Sequence, residues 1–150
     1  MNSVPFFVDY DKPLYTIGVV ADLLNVSVQT LRLYEREDLI IPFKKESNHR
    51  LYSQRDMDRL QCIRKAITEK KFSIQAIKTM FSLIPCWQLK SCSHDDRKNC
   101  PAFTSHSGPC WSVRHSGNIC ELQNCRDCHV YRDYSNCEEI KNGIINSTSN

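Results

Sequence analysis

The cysteines of this chain are unevenly distributed, and their distribution limits how the chain can fold. Eight of the nine cysteines follow Pro85, and only Cys62 precedes it. The part after Ile84 contains few Leu, Ile or Val residues, too few to form a core for about 50 residues without a staple. The sequence therefore predicts a helical part with its own core and a small, irregular part stapled by metal.

The interpretation of these cysteines depends on the compartment. Residues 1–13 lack the basic segment and long apolar core of a signal peptide. No segment has the ~20 apolar residues that a membrane span requires. We therefore expect a cytoplasmic protein with no membrane partner. In a reducing compartment, clustered thiols are more often metal ligands or redox groups than structural disulfides.

The sequence before Pro85 predicts four helices. Each starts at a hydroxyl residue that can cap it, namely Thr16, Ser27, Ser53 and Ser73. Apolar residues recur at helical spacing after each of these positions. Between the second and third helices, residues 43–52 place polar turn residues between two short flanks, which predicts a hairpin. This order is typical of a winged helix-turn-helix domain, so the predicted fold class is mainly α.

The second predicted helix and the hairpin carry a basic surface. Residues 44–71 include nine Lys or Arg against four acidic residues, whereas the chain after Ile84 carries seven of each. A basic stretch next to a neutral one favours contact with a polyanion, and a helix after a tight turn can place amide and guanidinium groups against DNA bases. The candidate DNA-binding residues are Thr16, Gln29, Thr30, Arg32, Tyr34, Arg36, Lys44, Lys45, Arg50 and Tyr52.

Four motifs between about residues 14 and 84 resemble the MerR family of transcription regulators. They are Tyr15-Thr16-Ile17-Gly18, Thr30-Leu31-Arg32-Leu33-Tyr34-Glu35-Arg36, Leu39-Ile40-Ile41-Pro42 and Arg50-Leu51-Tyr52-Ser53. The resemblance implies that Arg32 and Tyr34 contact DNA from a recognition helix, and that Arg50 and Tyr52 act from the wing. It also implies a dimer on an inverted repeat in double-stranded promoter DNA. The family bends and untwists such DNA so that RNA polymerase meets both promoter elements in register.

The sequence departs from this family pattern in three places. Asp38 stands where the family usually has glycine after the recognition helix, although Asp tolerates a left-handed conformation better than most residues. Asn48-His49 replaces the usual wing turn. After Ile84, Pro85 and the cysteines stand where the family usually has a long dimerisation helix. A homodimer is therefore expected from the resemblance but not from these residues.

The cysteines after Ile84 are candidate metal ligands. The pair Cys125-x-x-Cys128 can place two thiolates on one metal, and cysteines from other loops can complete a zinc site or hold an iron–sulfur cluster. Two Cys-Trp pairs, at 86–87 and 110–111, resemble small two-Cys-Trp modules appended to bacterial regulators. Neither the choice of metal nor its role, structural or sensory, follows from the spacing. The candidate ligands are Cys86, Cys92, Cys100, Cys110, Cys120, Cys125 and Cys128.

The remaining expectations concern domain bounds and alternative functions. We expect an N-terminal arm at 1–13, the DNA-binding domain at 14–84, the cysteine module at 85–137 and a flexible tail at 138–150. Cys62 is expected to be a small core residue.

Two alternative functions remain open. One is an adaptor protein with a structural zinc module, and the other, less favoured, is a thiol oxidoreductase. No βαβ pattern, phosphate loop or nucleophile–base set is visible, so we predict a regulator without enzymatic activity.

Overall fold

The computed structural model describes residues 9–105 and 107–148, with only the backbone described for residues 147–148. The predicted arm at 1–13 therefore lies mostly outside the described residues. The first half contains β1 (Tyr15–Thr16), α1 (Ile17–Leu24), α2 (Val28–Arg36), β2 (Phe43–Lys44), β3 (Arg50–Tyr52), α3 (Gln54–Thr68) and α4 (Ile74–Ser82). The second half contains α5 (Cys86–Leu89), α6 (His94–Lys98), α7 (Pro101–Thr104), α8 (His129–Asp133) and α9 (Cys137–Thr148), with 3₁₀ turns at Cys110–Ser112 and Cys125–Asp127.

The four predicted helix starts are confirmed. The side chains of Thr16, Ser27, Ser53 and Ser73 each accept a backbone N–H from the first turn of the helix that follows. At α3 the cap is reciprocal, because Asp56 accepts the backbone N–H of Ser53 in return. Caps of this kind satisfy N–H groups that otherwise have no partner at a helix start. These four helices are therefore defined by their local sequence.

The predicted hairpin is confirmed as part of a three-stranded antiparallel sheet with the order β1-β3-β2. In β2 and β3, Lys44 lies opposite Arg50, and Asn48 makes the turn with a positive φ of 65°. Strand β1 was not predicted. It pairs Tyr15 with Tyr52, and a two-residue strand is too short to show the alternation that identifies strands in a sequence.

The hydrophobic core is shared between the two halves of the chain. Side chains of α1, α2, α3 and α4 form one buried cluster with Trp111, Val130, Tyr131 and Ile140 from the second half. Arg59, only 1% exposed, lies inside it. Its guanidinium group stacks on Tyr131 and donates to the Tyr131 and Tyr134 carbonyls. The apolar residues of the cysteine-rich part are therefore buried against the helical half. The composition of the cysteine-rich part alone does not predict this packing.

The prediction of a flexible tail at 138–150 is wrong for most of its length, because Cys137–Thr148 forms α9. Asn136 accepts the backbone N–H of Glu139 at 2.9 Å and so caps the helix. Ile140 is 2% exposed and packs into the shared core. The sequence did not predict this helix because its residues are mostly polar, although a capping residue, Asn136, and a buried apolar residue, Ile140, lie four residues apart.

Cys62 is a buried core residue, as the sequence predicts, but it is not a free thiol. It forms a disulfide with Cys137, the first residue of α9, with a Cα–Cα distance of 5.4 Å. The bond joins α3 of the helical half to the last helix across 75 residues of sequence. It therefore fixes α9 against the core independently of the other seven cysteines. Among the described residues, no helix is long and apolar enough to span a bilayer.

Candidate nucleic-acid interface and cysteine cavity

Helix α2 presents the polar face that the sequence predicts. Gln29, Arg32 and Arg36 are exposed, whereas Leu31 on the opposite face is buried. Thr30 is half-buried and its hydroxyl lies 2.9 Å from that of Ser27, the capping residue. Because α2 follows α1 after a three-residue turn, its amide and guanidinium side chains are placed as a recognition helix requires.

The wing is held against α2 by Glu35. This carboxylate accepts Lys44 Nζ at 3.0 Å and also accepts the Arg50 guanidinium. Burial raises the pKa of Glu35, but hydrogen bonds from Arg50 and Lys44 outweigh burial and hold the pKa below its usual value. Lys45 and Thr16 are exposed, whereas Arg50 is half-buried by this contact. Glu35 thus sets the position of the wing relative to α2 and neutralises part of the predicted basic surface.

The two tyrosines predicted to contact DNA lie in the core. Tyr34 is 2% exposed and Tyr52 is fully buried. The Tyr34 hydroxyl accepts a hydrogen bond from Arg64 at 3.4 Å. Burial raises the pKa of Tyr52 to about 12. We therefore assign both tyrosines to packing behind α2 and the wing, and a DNA contact by either stays an untested prediction.

The segment that joins α2 to the wing is bonded to the cysteine-rich half. Asp38 adopts the left-handed conformation expected from the sequence, with φ 59°, and its carbonyl accepts Trp111 Nε1 at 2.7 Å. The Ile41 N–H donates to the Tyr131 hydroxyl at 2.8 Å, and the Ile41 carbonyl accepts from Arg126. Sequence reasoning missed these bonds because their partners are 73 to 90 residues apart.

Arg126 also forms a buried ion pair with Asp56. Its Nη1 and Nη2 lie 3.0 and 2.7 Å from the two carboxylate oxygens of Asp56. Only 14% and 4% of the two side chains are exposed. Asp56 is also the residue that completes the cap of α3. The residue inside the C-x-x-C motif is therefore fixed to both α3 and the segment after α2.

All seven predicted metal ligands line one apolar cavity of about 30 Å³. The cavity is larger than the ~10–15 Å³ that one water molecule needs. Trp87, Phe103 and Trp111 contribute to its wall, and the Trp87 and Phe103 rings meet edge to face at 5.4 Å. The seven thiols are free, whereas Cys62 and Cys137 are bonded to each other. The structure thus separates the predicted ligands from the other two cysteines.

Four of the thiols in the cavity have a raised pKa, namely Cys92, Cys110, Cys120 and Cys125. Burial raises the pKa values of Cys92, Cys125 and Cys120, the last to about 11. A hydrogen bond between Cys86 and Cys110 lowers the pKa of Cys86 and raises that of Cys110. A thiol oxidoreductase needs an accessible thiolate. The buried Cys128 and the raised pKa of Cys125 do not favour that alternative.

His115 contacts two of the cysteines that line the cavity. Its Nε2 hydrogen bonds the Cys110 carbonyl at 2.8 Å, and its Nδ1 lies 3.8 Å from Cys100 Sγ. Among residues 9–105 and 107–148, no three His, Cys, Asp or Glu side chains converge closely enough to hold a single ion.

Two helices joined by a tight turn, followed by a hairpin that flanks the second helix, define a winged helix-turn-helix domain. Residues 15–83 match the family described as the MerR HTH family regulatory protein. This region is therefore a MerR-type helix-turn-helix domain, as the motifs predicted. The two-Cys-Trp resemblance of the second half stays a prediction.

Named relatives are similar to this chain over the same region. Heat shock protein HspR of Streptomyces coelicolor is 32% identical over 79 residues, covering 53% of this chain and 52% of the relative. The mercuric resistance operon regulatory protein of Bacillus cereus is 37% identical over 71 residues, 47% and 53% of the two chains. The transcriptional regulator ZntR of Escherichia coli is 32% identical over 71 residues, 47% and 50%. The chain thus spans only about half the length of these curated relatives.

Proposed function

We propose that this protein is a DNA-binding transcription regulator of the MerR type, which binds double-stranded promoter DNA through α2 and the wing. The observation that carries the proposal is the match of residues 15–83 to the MerR-type domain together with the exposed face of α2. Gln29, Arg32 and Arg36 on that face supply the donors that read base edges in the major groove. Relatives named as transcriptional regulators support the same function.

The proposed interface has a centre and a flank. Arg32 and Gln29 on α2 reach the bases, and Arg36 lies one turn further along the helix. Lys44 and Lys45 on the wing contact the phosphate backbone, which positions a protein on DNA without reading its sequence. Arg50 adds less positive charge to this flank than the two lysines, because its guanidinium group is paired with Glu35.

RNA polymerase at the promoter and a second copy of this chain are the proposed protein partners, as the resemblance implies. Helix α4 ends at Ser82 and is followed by the four-residue α5. Within the described residues, α3 is the longest helix with 15 residues, and it lies inside the domain. A homodimer would therefore form through a surface other than the long helix that the family usually provides.

The cysteine module is the proposed control element, and it takes up zinc or an iron–sulfur cluster. Three of its residues, Trp111, Arg126 and Tyr131, bond to the segment between α2 and the wing. Trp111 and Tyr131 line the cysteine cavity as well. A structural change in the cavity can therefore be transmitted through these hydrogen bonds to α2 and to the wing. This connection supports control of DNA binding by metal or redox state.

The experiment that tests DNA binding begins with selection of duplexes from a random library by the full chain. Affinity for the selected duplex is then compared between the parent and Arg32→Ala by fluorescence anisotropy. Loss of a bidentate base contact costs about 1–3 kcal/mol, or roughly 5- to 150-fold in Kd. Lys141→Ala removes the same charge from an exposed site on α9 and is expected to bind as the parent does. Equal affinity of Arg32→Ala and the parent, with unchanged circular dichroism, would exclude α2 as the recognition helix.

A further inference from the structure

The seven cysteines of the cavity differ in depth. Four of them pack in or against the shared core, and we call them the inner four: Cys86, Cys110, Cys125 and Cys128. The other three line the same cavity without contributing to that core, and we call them the outer three: Cys92, Cys100 and Cys120. Four is the number of thiolates that an iron–sulfur cluster takes from a protein.

Three of the inner four are held in place by neighbours that bond to the helical half. Trp111, next to Cys110, donates to Asp38. Arg126, next to Cys125, pairs with Asp56. Cys128 immediately precedes α8, whose Tyr131 bonds Ile41. Protein groups alone make these anchors, so they position the three thiols for a ligand, which lowers the cost of binding.

The outer three are carried by segments with more local contacts. Cys92 precedes α6, whose cap is formed by Ser93 and Asp96 on the surface. Cys120 lies beside Ile119, whose N–H donates to Asp96 at 2.9 Å. Cys100 immediately precedes α7, and its Sγ lies 3.8 Å from His115 Nδ1. None of these contacts reaches α2 or the wing, so the outer thiols are fixed less firmly to the helical half.

The lining of the cavity fits an iron–sulfur cluster. The inner thiols supply the four thiolates that a cluster takes, and a cluster brings its own iron and sulfide. Zinc takes four thiolates as well, so the test below offers the protein both metals. The indole and phenyl walls of the cavity also exclude water, one of the factors that set the potential of such centres.

We propose that the inner four bind an iron–sulfur cluster, and that the outer three are not required to hold it. Each inner thiol forms one sulfur–iron bond and releases its proton to solvent, while iron and inorganic sulfide are supplied from outside the protein. The inference rests on the proposed function, since it names the ligand of the proposed control element. Its test uses no DNA, so either proposal can fail while the other stands.

The test is reconstitution of the full chain without oxygen, with ferrous and ferric iron, sulfide and an equal amount of zinc. The expected product contains iron and acid-labile sulfide in equal amounts and shows the broad visible absorption of iron–thiolate charge transfer. Cys110→Ala is expected to retain at least about tenfold less iron, since even loss of a group that only hydrogen bonds a metal ligand can cost about 10- to 100-fold in metal affinity. Cys120→Ala, the matched control from the outer three, is expected to retain as much as the parent.

A second measurement protects the test against misfolding of Cys110→Ala. The reconstituted parent is treated with iodoacetamide, and alkylation of each cysteine is read by mass spectrometry. The inner four are expected to be protected, whereas the outer three react. Stoichiometric zinc without iron or sulfide would overturn the proposal. Equal protection of all seven cysteines, or equal loss of iron in both variants, would overturn the assignment to the inner four.

Discussion

The two halves of this molecule are ordered by different kinds of contact. From β1 to α4, helices of 8, 9, 15 and 9 residues begin at their own caps, and the hairpin pairs neighbouring strands. From α5 to α8 the helices have only four or five residues. Trp111, Arg126 and Tyr131 tie this half to the first. The first half is therefore specified by local sequence, whereas the geometry of the second half depends on its contacts with the first. A substitution at these contacts is expected to change the stability of both halves.

The largest expected effect comes from breaking the buried ion pair between the halves. Arg126→Gln leaves the Asp56 carboxylate, 4% exposed, without its cation. Removing one partner of a buried pair destabilises a protein by about 3–5 kcal/mol. We therefore expect the free energy of unfolding, measured with urea and circular dichroism, to fall by that amount.

Arg132→Gln is the matched control for this prediction. Arg132 pairs with Asp11 at 3.0 Å, but 44% and 38% of the two side chains are exposed. Exposed pairs contribute about 0–1 kcal/mol. If both variants lost the same small amount of stability, the module would not depend on its bond to α3.

The next effect concerns the disulfide that attaches α9. Cys137→Ser removes the link to Cys62 from the exposed end, so no polar group is introduced into the core. Closing a loop of this length contributes about 2–4 kcal/mol to the free energy of unfolding, and the variant is expected to lose that much in urea. Titration of the denatured, unreduced and metal-free parent should find seven reactive thiols. Nine reactive thiols would contradict the bond.

A smaller effect is expected from Trp111→Phe, which keeps an aromatic ring but removes the hydrogen bond to the Asp38 carbonyl and the volume of the second ring. The lost bond contributes about 1 kcal/mol, and the space left by the smaller ring adds to that loss. The stability of the variant should fall by at least about 1 kcal/mol, while its DNA affinity should respond less than the parent's to the state of the cysteines. Trp87→Phe, which keeps the cavity wall, serves as the control. If the DNA affinity of Trp111→Phe changed with the state of the cysteines as much as that of the parent, this hydrogen bond would not be needed for control of DNA binding.

The smallest effect is the pH dependence of the Glu35 contacts. Because the pKa of Glu35 is held below its ordinary 4.5, the folded protein binds this proton less tightly than the unfolded chain. The stabilisation is therefore present above pH 4.5 and is lost as pH falls through the lower folded pKa. The stability difference between the metal-free parent and Glu35→Gln, under about 1 kcal/mol, should shrink on acidification. A constant difference would contradict the pairing.

The sequence predicted the first half well because its determinants lie close together along the chain. Ser27 and Ser53 lie at the start of their helices, and Asp38 adopts the left-handed conformation just where α2 ends. The motif-based match to a MerR-type domain follows from the same local signals. The burial of Tyr34 and Tyr52 was missed, because helical and strand spacing alone do not show which neighbour covers a side chain.

The second half could be predicted only in its composition. The sequence predicted seven cysteines as one group of candidate ligands, and all seven line the same cavity. Their division into inner and outer sets was not predictable, because it depends on the long-range anchors of Trp111 and Arg126. The disulfide joins residues 75 positions apart, and no spacing rule connects such a pair. Helix α9 was missed because most of its residues are polar and its cap, Asn136, lies before the segment predicted as a tail.

We propose that the cysteine module controls the DNA-binding domain to which it is bonded. The most direct test is the Kd of the full chain for its selected duplex, measured without oxygen before and after a chelator removes the bound metal. Coupled sites typically change each other's affinity by about 5- to 150-fold, and we predict a change in this range in the parent. The same Kd in both states, with metal content and its removal verified, would show that the cysteine module does not control DNA binding.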